Sequence, residues 1–344
     1  MQIINELKLD FDDVLIRPKR SEMGSRSQVN ILRKFKTLSG QDWEGIPIMA
    51  SNFDTVGTFA MAKALSHYGM ITCLHKFYAK EDLIEFFNIQ SNPLLTFYTL
   101  GVGDEDIAKL KFVVERTEGR IKNILVDIAN GYTKYFSDKV RQVRNLCPNA
   151  ILMAGNVATP EMVQELIISG GVDIVKVGIG PGSVCETRIV AGVGYPQLSA
   201  IIECSDAAHG LDGLICADGG CKTPGDVVKA FGAGADFVML GGMLSGTDPC
   251  DGEWQFVEKS GTIEKISLKF YGMSSREAME KHNGGIANYR ASEGSCIQIP
   301  YKGPVENVVQ QILGGLRSAC AYVGASKLKD LSKCTTFIRV NRIK

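Results

Sequence analysis

The chain has 344 residues, with 38 lysines and arginines against 38 aspartates and glutamates, so its formal net charge is zero. Hydrophobic residues make up 45% and charged residues 22%, which is typical of a globular protein with a sizeable core and excludes a disordered chain, a coiled coil and a collagen-like repeat. Neutrality also argues against nucleic acid as a partner, because displacing counterions from phosphates needs a basic excess.

Residues 1–45 precede every strand-like run and are predicted to form an N-terminal arm. Residues 1–13 mix acidic with apolar side chains and lack the basic and apolar regions of a secretory signal. No stretch of the chain approaches the roughly 18 apolar residues that a membrane span requires. We therefore expect a cytoplasmic protein that has no membrane partner.

Eight short apolar runs follow, each ending in or just before glycine or a polar residue. They cover residues 46–50, 70–74, 97–101, 123–127, 151–155, 173–178, 213–217 and 236–241. Nearly continuous runs rich in Val, Ile and Leu are typical of parallel strands that are buried on both faces. Helix-like segments separate them, at residues 58–67, 80–87, 104–116, 133–146, 160–168, 196–207 and 224–231.

This alternation predicts an α/β fold, a (β/α)8 TIM barrel, as a single domain over residues 1–344. The alternative is a doubly wound open sheet, which would prefer G-x-G-x-x-G after its first strand; here Ser51-Asn-Phe-Asp-Thr55 follows instead. Residues 245–303 are predicted to form an insertion between the eighth strand and a last helix at 305–323. The insertion should lie over the carboxyl ends of the strands, where barrels carry their active sites.

A glycine-rich loop follows the sixth predicted strand and ends in a cysteine. It reads Gly178-Ile-Gly180-Pro-Gly182-Ser-Val-Cys185-Glu-Thr187. The ten cysteines are dispersed without a C-x-x-C pair or histidines at zinc-finger spacing, so reduced thiols are expected rather than a cysteine metal site. Cys185 is either a small buried hydrophobe or a nucleophile with Thr187 as a proton relay. Without a histidine nearby, it fits attack on a ring carbon that protonation activates.

Paired glycines follow the seventh and eighth predicted strands, in Asp218-Gly219-Gly220 and in Gly241-Gly242. Backbone N–H groups in such loops supply the donors of a barrel phosphate site, and Asp218 is placed to accept hydrogen bonds from sugar hydroxyls. The alternative is that the glycines only make short turns.

Other polar residues lie at strand ends and in the insertion. They include His75-Lys76, Asp127, Asn130-Gly131, Asn156 and Glu293. From the residues alone the strand-end groups serve equally well as solvated caps, and Glu293 is read as a surface charge.

Together the cysteine loop and the two glycine pairs resemble the IMP dehydrogenase/GMP reductase family. Further motifs are similar to the GMP reductases of that family, over nearly the whole chain: Gly192-Val-Gly-Tyr-Pro-Gln197, Phe270-Tyr-Gly-Met-Ser-Ser275, Tyr289-Arg-Ala-Ser-Glu-Gly294, Thr336-Phe-Ile-Arg-Val340 and the N-terminal residues 9–20. The resemblance implies a homotetramer that reduces GMP to IMP with NADPH and releases ammonia.

The resemblance also implies roles for individual residues. Cys185 would attack C2 of the guanine and form a covalent thioimidate, Thr187 and Glu293 would handle the proton that releases the amine, and Lys76 would lie beside the reacting ring. GMP would contact Ser183, Asp218, Gly219, Gly220, Gly241, Gly242, Gly272, Met273, Ser274, Arg290, Ser292, Glu293 and Gly294. NADPH would contact Ser25, Arg26, Lys76, Asp127, Ile128, Ala129, Gly180, Tyr289, Arg290, Ser318, Ala319, Cys320 and Ala321, some of them across a subunit boundary. A potassium ion would bind the carbonyls of Gly180, Gly182 and Cys185.

Three residues depart from the commoner family pattern. Glu186 stands where threonine is more usual, Phe77 where histidine is, and Phe53 where methionine is. The rival within the family is an IMP dehydrogenase, but only residues 75–79 separate the second strand from its helix, which leaves no room for the regulatory modules that dehydrogenases usually insert there. The rival outside enzymes is a silent nucleotide-binding barrel, which would not need Cys185, Thr187 and Glu293 together.

Overall fold

Eight parallel strands close into a barrel in the computed structural model, which describes residues 1–259, 261–285 and 287–341. The strands in chain order are β1 (Val14–Ile16), β2 (Arg33–Lys36), β3 (Asp42–Gly45), β4 (Ile48–Ala50), β5 (Ile71–Cys73), β6 (Thr96–Leu100), β7 (Asn123–Asp127), β8 (Ile151–Val157), β9 (Ile174–Val177), β10 (Leu214–Asp218), β11 (Phe237–Leu240), β12 (Trp254–Lys259), β13 (Thr262–Tyr271), β14 (Cys296–Pro300) and β15 (Phe337–Arg339). The helices are α1 (Phe59–Ser66), α2 (Lys80–Ile89), α3 (Asp104–Arg116), α4 (Lys134–Leu146), α5 (Pro160–Ile168), α6 (Thr187–Val190), α7 (Gln197–His209), α8 (Pro224–Gly232), α9 (Arg276–Asn283), α10 (Val305–Val323) and α11 (Leu331–Cys334).

The barrel consists of β4 to β11 in sequence order, and β11 pairs in parallel with β4 to close it. The predicted (β/α)8 barrel is therefore confirmed, and the open-sheet alternative is wrong. The first and last residues of each predicted strand lie within two residues of those observed, and α3, α5 and α10 have the predicted bounds. The apolar runs identify the strands because helices cover one face of the sheet and the barrel interior covers the other.

Several helices begin at threonines that cap them. The side-chain oxygens of Thr58, Thr133 and Thr223 accept hydrogen bonds from backbone N–H groups in the first turns of α1, α4 and α8. Pro160 and Pro224 occupy the first positions of α5 and α8, where no N–H donor is needed. Within the described residues, none of the helices is both long and apolar enough to cross a membrane.

The amino end of the barrel is filled by part of the predicted arm. Strands β2 and β3 form an antiparallel hairpin, and Phe35 and Trp43 from it are buried among side chains of the barrel interior. Their rings lie 4.9 and 5.0 Å from the ring of Phe237 in β11. Residues 33–45 therefore do not form part of an extended arm as predicted, but close the amino end of the barrel. Burial of the two large aromatic rings stabilises this arrangement.

The predicted insertion contains a small antiparallel sheet, β12–β13–β14, and α9 lies between β13 and β14 in the chain. Residues 260 and 286 of this insertion lie outside the described residues. One isolated bridge pairs Thr247 with Gly303 at the two ends of the insertion, and a second pairs Cys185 of the barrel loop with Gly294 of the insertion. The second bridge brings the insertion against the cysteine loop that follows β9.

Candidate active site

A cavity of about 420 Å³ lies where the carboxyl ends of the strands meet the insertion. Most of the residues predicted to form a site line it: Lys76, Asp127, Ile128, Ala129, Gly180, Gly182, Ser183, Cys185, Thr187, Asp218, Gly219, Gly220, Gly241, Gly242, Gly272, Met273, Ser274, Arg290 and Glu293. The topology therefore brings together residues from five barrel loops and from the insertion.

A second group of predicted residues does not line this cavity. Ser292 and Gly294 flank Glu293, whereas Tyr289 is exposed. Ser25 and Arg26 are exposed and belong to a short turn over residues 25–28. This turn packs on α10, the helix that carries Ser318, Ala319, Cys320 and Ala321.

Three side chains form a connected chain at the cysteine loop. The Cys185 Sγ lies 3.4 Å from the Thr187 Oγ1, and Thr187 donates a hydrogen bond of 2.7 Å to the Glu293 Oε2. Backbone bonds fix the pair of loops, because the N–H of Glu186 donates to the carbonyl of Glu293 at 2.8 Å. A thiol, a hydroxyl and a carboxylate in this order can form a nucleophile and a route for one proton.

The glycine loops after β10 and β11 approach the cysteine loop closely. Gly219 and Gly220 have φ of +88° and +87°, a left-handed conformation that glycine adopts without strain. A Cβ on Gly219 would lie 3.2 Å from the backbone N of Gly182, and one on Gly242 would lie 3.2 Å from the Ser183 Oγ. Three loops thus converge at glycines, which put no side chain of their own into the contact, and this suits the binding of a phosphate.

A buried lysine for which the sequence predicts no role lies at the base of the cavity. Lys176 of β9 places its Nζ 2.8 Å from the Asp127 Oδ1, 2.7 Å from the Asn156 Oδ1 and 2.5 Å from the Asp218 Oδ2. Burial lowers its pKa, but the two carboxylates outweigh that effect and raise the pKa of Lys176. Burial would likewise raise the pKa of Asp127, yet Lys176 lowers it, so both groups stay charged. The sequence signal for this role was a lysine inside the apolar run of residues 173–178.

The two neighbours of Lys76 in sequence, His75 and Phe77, each stack on another aromatic ring. His75 stacks on Tyr78 with ring centroids 3.9 Å apart, and burial lowers the pKa of His75 to about 4, so the imidazole is neutral at pH 7. Phe77 lines the cavity and stacks on His282 of α9, with centroids 3.5 Å apart and planes inclined by 7°. His282 was not predicted, because no local pattern links α9 to the loop after β5.

The predicted potassium site rests on backbone carbonyls. Among the described residues no group of three or more histidine, cysteine, aspartate or glutamate side chains is arranged to hold a metal ion. The N–H of Cys185 donates to the Gly182 carbonyl at 3.1 Å, so these residues form a tight turn. A carbonyl oxygen has two lone pairs, and this bond leaves one of them for a cation. The Gly182 carbonyl can therefore still accept a cation.

Comparison with known proteins gives a consistent result. Residues 8–343 match the family model described as IMP dehydrogenase / GMP reductase domain. The chain is 55% identical over 343 residues to a GMP reductase of Aeromonas salmonicida (strain A449) and over 344 residues to one of Tolumonas auensis. It is also 55% identical over 343 residues to a GMP reductase of Escherichia coli (strain K12 / DH10B). Each alignment covers 99% of this chain and 97% of the relative.

Proposed function

The chain belongs to the IMP dehydrogenase/GMP reductase family, and on that premise we propose that it converts GMP to IMP and ammonia with NADPH as the reductant. The observation that carries this proposal is the hydrogen-bonded chain Cys185–Thr187–Glu293 beside the converging glycine loops. A protein that only bound the nucleotide would need the loops but not this chain.

The proposed reaction begins at the sulfur of Cys185. The thiolate adds to C2 of the guanine, and the 2-amino group leaves as ammonia once it is protonated, which gives a covalent thioimidate. Thr187 and Glu293 carry the proton to the departing amine. The reduced nicotinamide, when bound, supplies the hydride that C2 accepts. The carbon–sulfur bond then breaks, and its electron pair returns to Cys185.

GMP is proposed to bind with its phosphate at the glycine loops. The donors would be backbone N–H groups near Gly219, Gly220, Gly241 and Gly242, together with Ser183. Asp218, held by Lys176, would accept hydrogen bonds from the ribose hydroxyls. Gly272, Met273, Ser274 and residues 290–294 would surround the base, with Lys76 beside the reacting carbon. A potassium ion at the carbonyls of Gly180, Gly182 and Cys185 would stiffen the nucleophile's loop.

NADPH is proposed to reach from this cavity to a neighbouring subunit. Lys76, Asp127, Ile128, Ala129, Gly180 and Arg290 line the cavity and would hold the nicotinamide half. Ser25, Arg26 and the α10 residues Ser318–Ala321 do not line it, but the turn and the helix pack together on the same chain. We propose that this group, with Tyr289, binds the adenosine half for a neighbouring subunit's active site in a homotetramer.

Replacing Arg26 with alanine should therefore raise the KM for NADPH while leaving the KM for GMP unchanged. A guanidinium that meets a phosphate makes charge-assisted hydrogen bonds, each worth about 1.5–3 kcal/mol, which corresponds to an increase of about 10- to 150-fold. Steady-state kinetics with each substrate varied in turn would measure both constants. The matched control is Arg120→Ala, an exposed arginine before β7 and away from α10; equal effects of the two changes would contradict the assignment of Arg26.

The proposed activity itself is tested by following NADPH absorbance at 340 nm. Oxidation of NADPH should require GMP, and ammonia should appear in an amount equal to the NADPH consumed. Faster turnover of IMP with NAD⁺ would instead establish the dehydrogenase reading. Tight binding of GMP without turnover of either nucleotide would establish the silent barrel.

A further inference from the structure

The buried carboxylate of Asp54 lies outside the catalytic chain, in the loop after β4. Its Oδ2 accepts hydrogen bonds from the Tyr271 hydroxyl at 2.7 Å and from the Lys281 Nζ at 2.9 Å, and it lies 2.8 Å from the His282 Nε2. The residue is only 7% exposed. Burial would raise the pKa of Asp54, but hydrogen bonds from Lys281, Tyr271 and His282 lower it. Asp54 is therefore ionised, and its bonds are charge-assisted.

These partners lie at the two ends of one segment of the insertion. Tyr271 is the last residue of β13, and Lys281 and His282 lie in the last turn of α9. Both ends of the segment from Tyr271 to His282 thus contact the same carboxylate. His282 is fixed further by its stack on Phe77, which comes from the loop after β5.

The segment between these ends is one of two supports for the backbone of Glu293, and the other is the cysteine loop, where the N–H of Glu186 donates to the Glu293 carbonyl at 2.8 Å. The N–H of Glu293 donates to the carbonyl of Ser274 at 3.0 Å, and the N–H of Gly272 donates to the carbonyl of Ser295 at 3.1 Å. Ser275 also forms a bridge with Gly294. Movement of the segment would therefore pull Glu293 against its bond to the loop that carries Cys185 and Thr187.

We propose that Asp54 is a positioning residue that holds the Glu293 carboxylate against the Thr187 hydroxyl by fastening both ends of the Tyr271–His282 segment to the barrel. The inference rests on the proposed function. Asp54 acts through Tyr271 and α9 and touches neither the substrate nor the proton that moves. Its effect on the rate therefore depends on the presence of a working carboxylate at position 293.

The test is a double-mutant cycle of Asp54→Asn and Glu293→Gln, read as kcat for GMP reduction. Asparagine keeps the shape of the side chain but lacks the charge that binds three donors. A misplacement of about 1 Å can cost about 10²-fold, so Asp54→Asn alone should lower kcat by about 10- to 100-fold. In the Glu293→Gln background the same change should lower kcat less than about threefold, since there is no working proton carrier left to misplace.

The matched control is Asp236→Asn at the other end of the barrel. Asp236 is also buried, precedes β11, and its Oδ2 lies 2.8 Å from the His209 Nε2. This change should lower the Tm without lowering kcat. Where Asp54→Asn fails to fold, Tyr271→Phe removes one donor to the same carboxylate and replaces it in the cycle.

Equal losses of kcat in both backgrounds, with an active wild-type enzyme, would overturn the positioning role and leave the proposed function intact. An Asp54→Asn variant with unchanged kcat would do the same. A wild-type protein that does not oxidise NADPH with GMP would overturn the proposed function first, and the role of Asp54 with it.

Discussion

Replacing Cys185 with alanine should abolish the reduction of GMP while GMP still binds. The sulfur is the proposed nucleophile, and no other thiol lies on its loop, whereas the phosphate and ribose are proposed to bind mainly at the loops after β10 and β11. General acid–base groups are typically worth about 10²–10⁴-fold, and loss of the nucleophile should cost at least as much. Assays at 340 nm and calorimetric titration with GMP would measure turnover and binding separately. Mass spectrometry should find a nucleotide adduct on Cys185 of the wild type.

Cys221 provides the matched control because it lines the same cavity. Burial raises the pKa of the Cys221 thiol, so this sulfur stays protonated and is a poor nucleophile. The Cys221→Ala variant should therefore reduce GMP at the rate of the wild type. Substantial activity in Cys185→Ala, or an adduct on Cys221, would refute the assignment.

Replacing Glu293 with glutamine should slow the release of ammonia by about 10²–10⁴-fold, the usual worth of a general acid–base group. The glutamine carbonyl can still accept the hydrogen bond that Thr187 donates at 2.7 Å, so the local geometry is kept. The amide cannot carry a proton to the amine, and it should also recognise the base less well. Rapid-quench measurement of ammonia from a single turnover would isolate this step.

The control for Glu293 is Glu186→Gln, which neutralises the carboxylate next to Cys185. Glu186 stands where the family more often has threonine, and we give it no role in proton transfer. Its replacement should change the single-turnover rate less than about tenfold, well below the loss for a general acid–base group. A larger loss for Glu186→Gln than for Glu293→Gln would exchange the roles of the two carboxylates.

The barrel was predictable from sequence, whereas the insertion sheet was not. Barrel strands are buried on both faces and therefore appear as continuous apolar runs. Strand β13 reads Thr-Ile-Glu-Lys-Ile-Ser-Leu-Lys-Phe-Tyr, and much of it is exposed. A search for continuous apolar runs passes over such an alternating pattern, which is typical of a sheet with one solvated face. The plug formed by Phe35 and Trp43 was missed because a short hairpin carries no signal of where it packs.

The hydrogen-bonded set Cys185–Thr187–Glu293 was only partly predictable from the sequence. Cys185 and Thr187 stand on one loop, and the glycine pattern indicated that loop directly. Glu293 lies 106 residues from Thr187, and its own sequence context predicts only a surface charge; the family resemblance is what connects the two residues. Lys176 and Asp54 were given no role, since each acts through partners on distant strands or helices that only the fold brings together.

The pairing of β4 with β11 has a kinetic consequence for how this chain acquires its structure. The first strand of the barrel keeps an unpaired edge until the last strand has been synthesised, and an open edge of this kind favours association with other chains. Bringing these two strands together closes a long loop, whose entropy must be lost before the contact stabilises anything. Part of the packing of the hairpin plug depends on the same event, because Phe237 of β11 supplies one of the side chains against which Phe35 and Trp43 pack. We therefore expect the barrel to close and its amino end to become sealed together, late in folding.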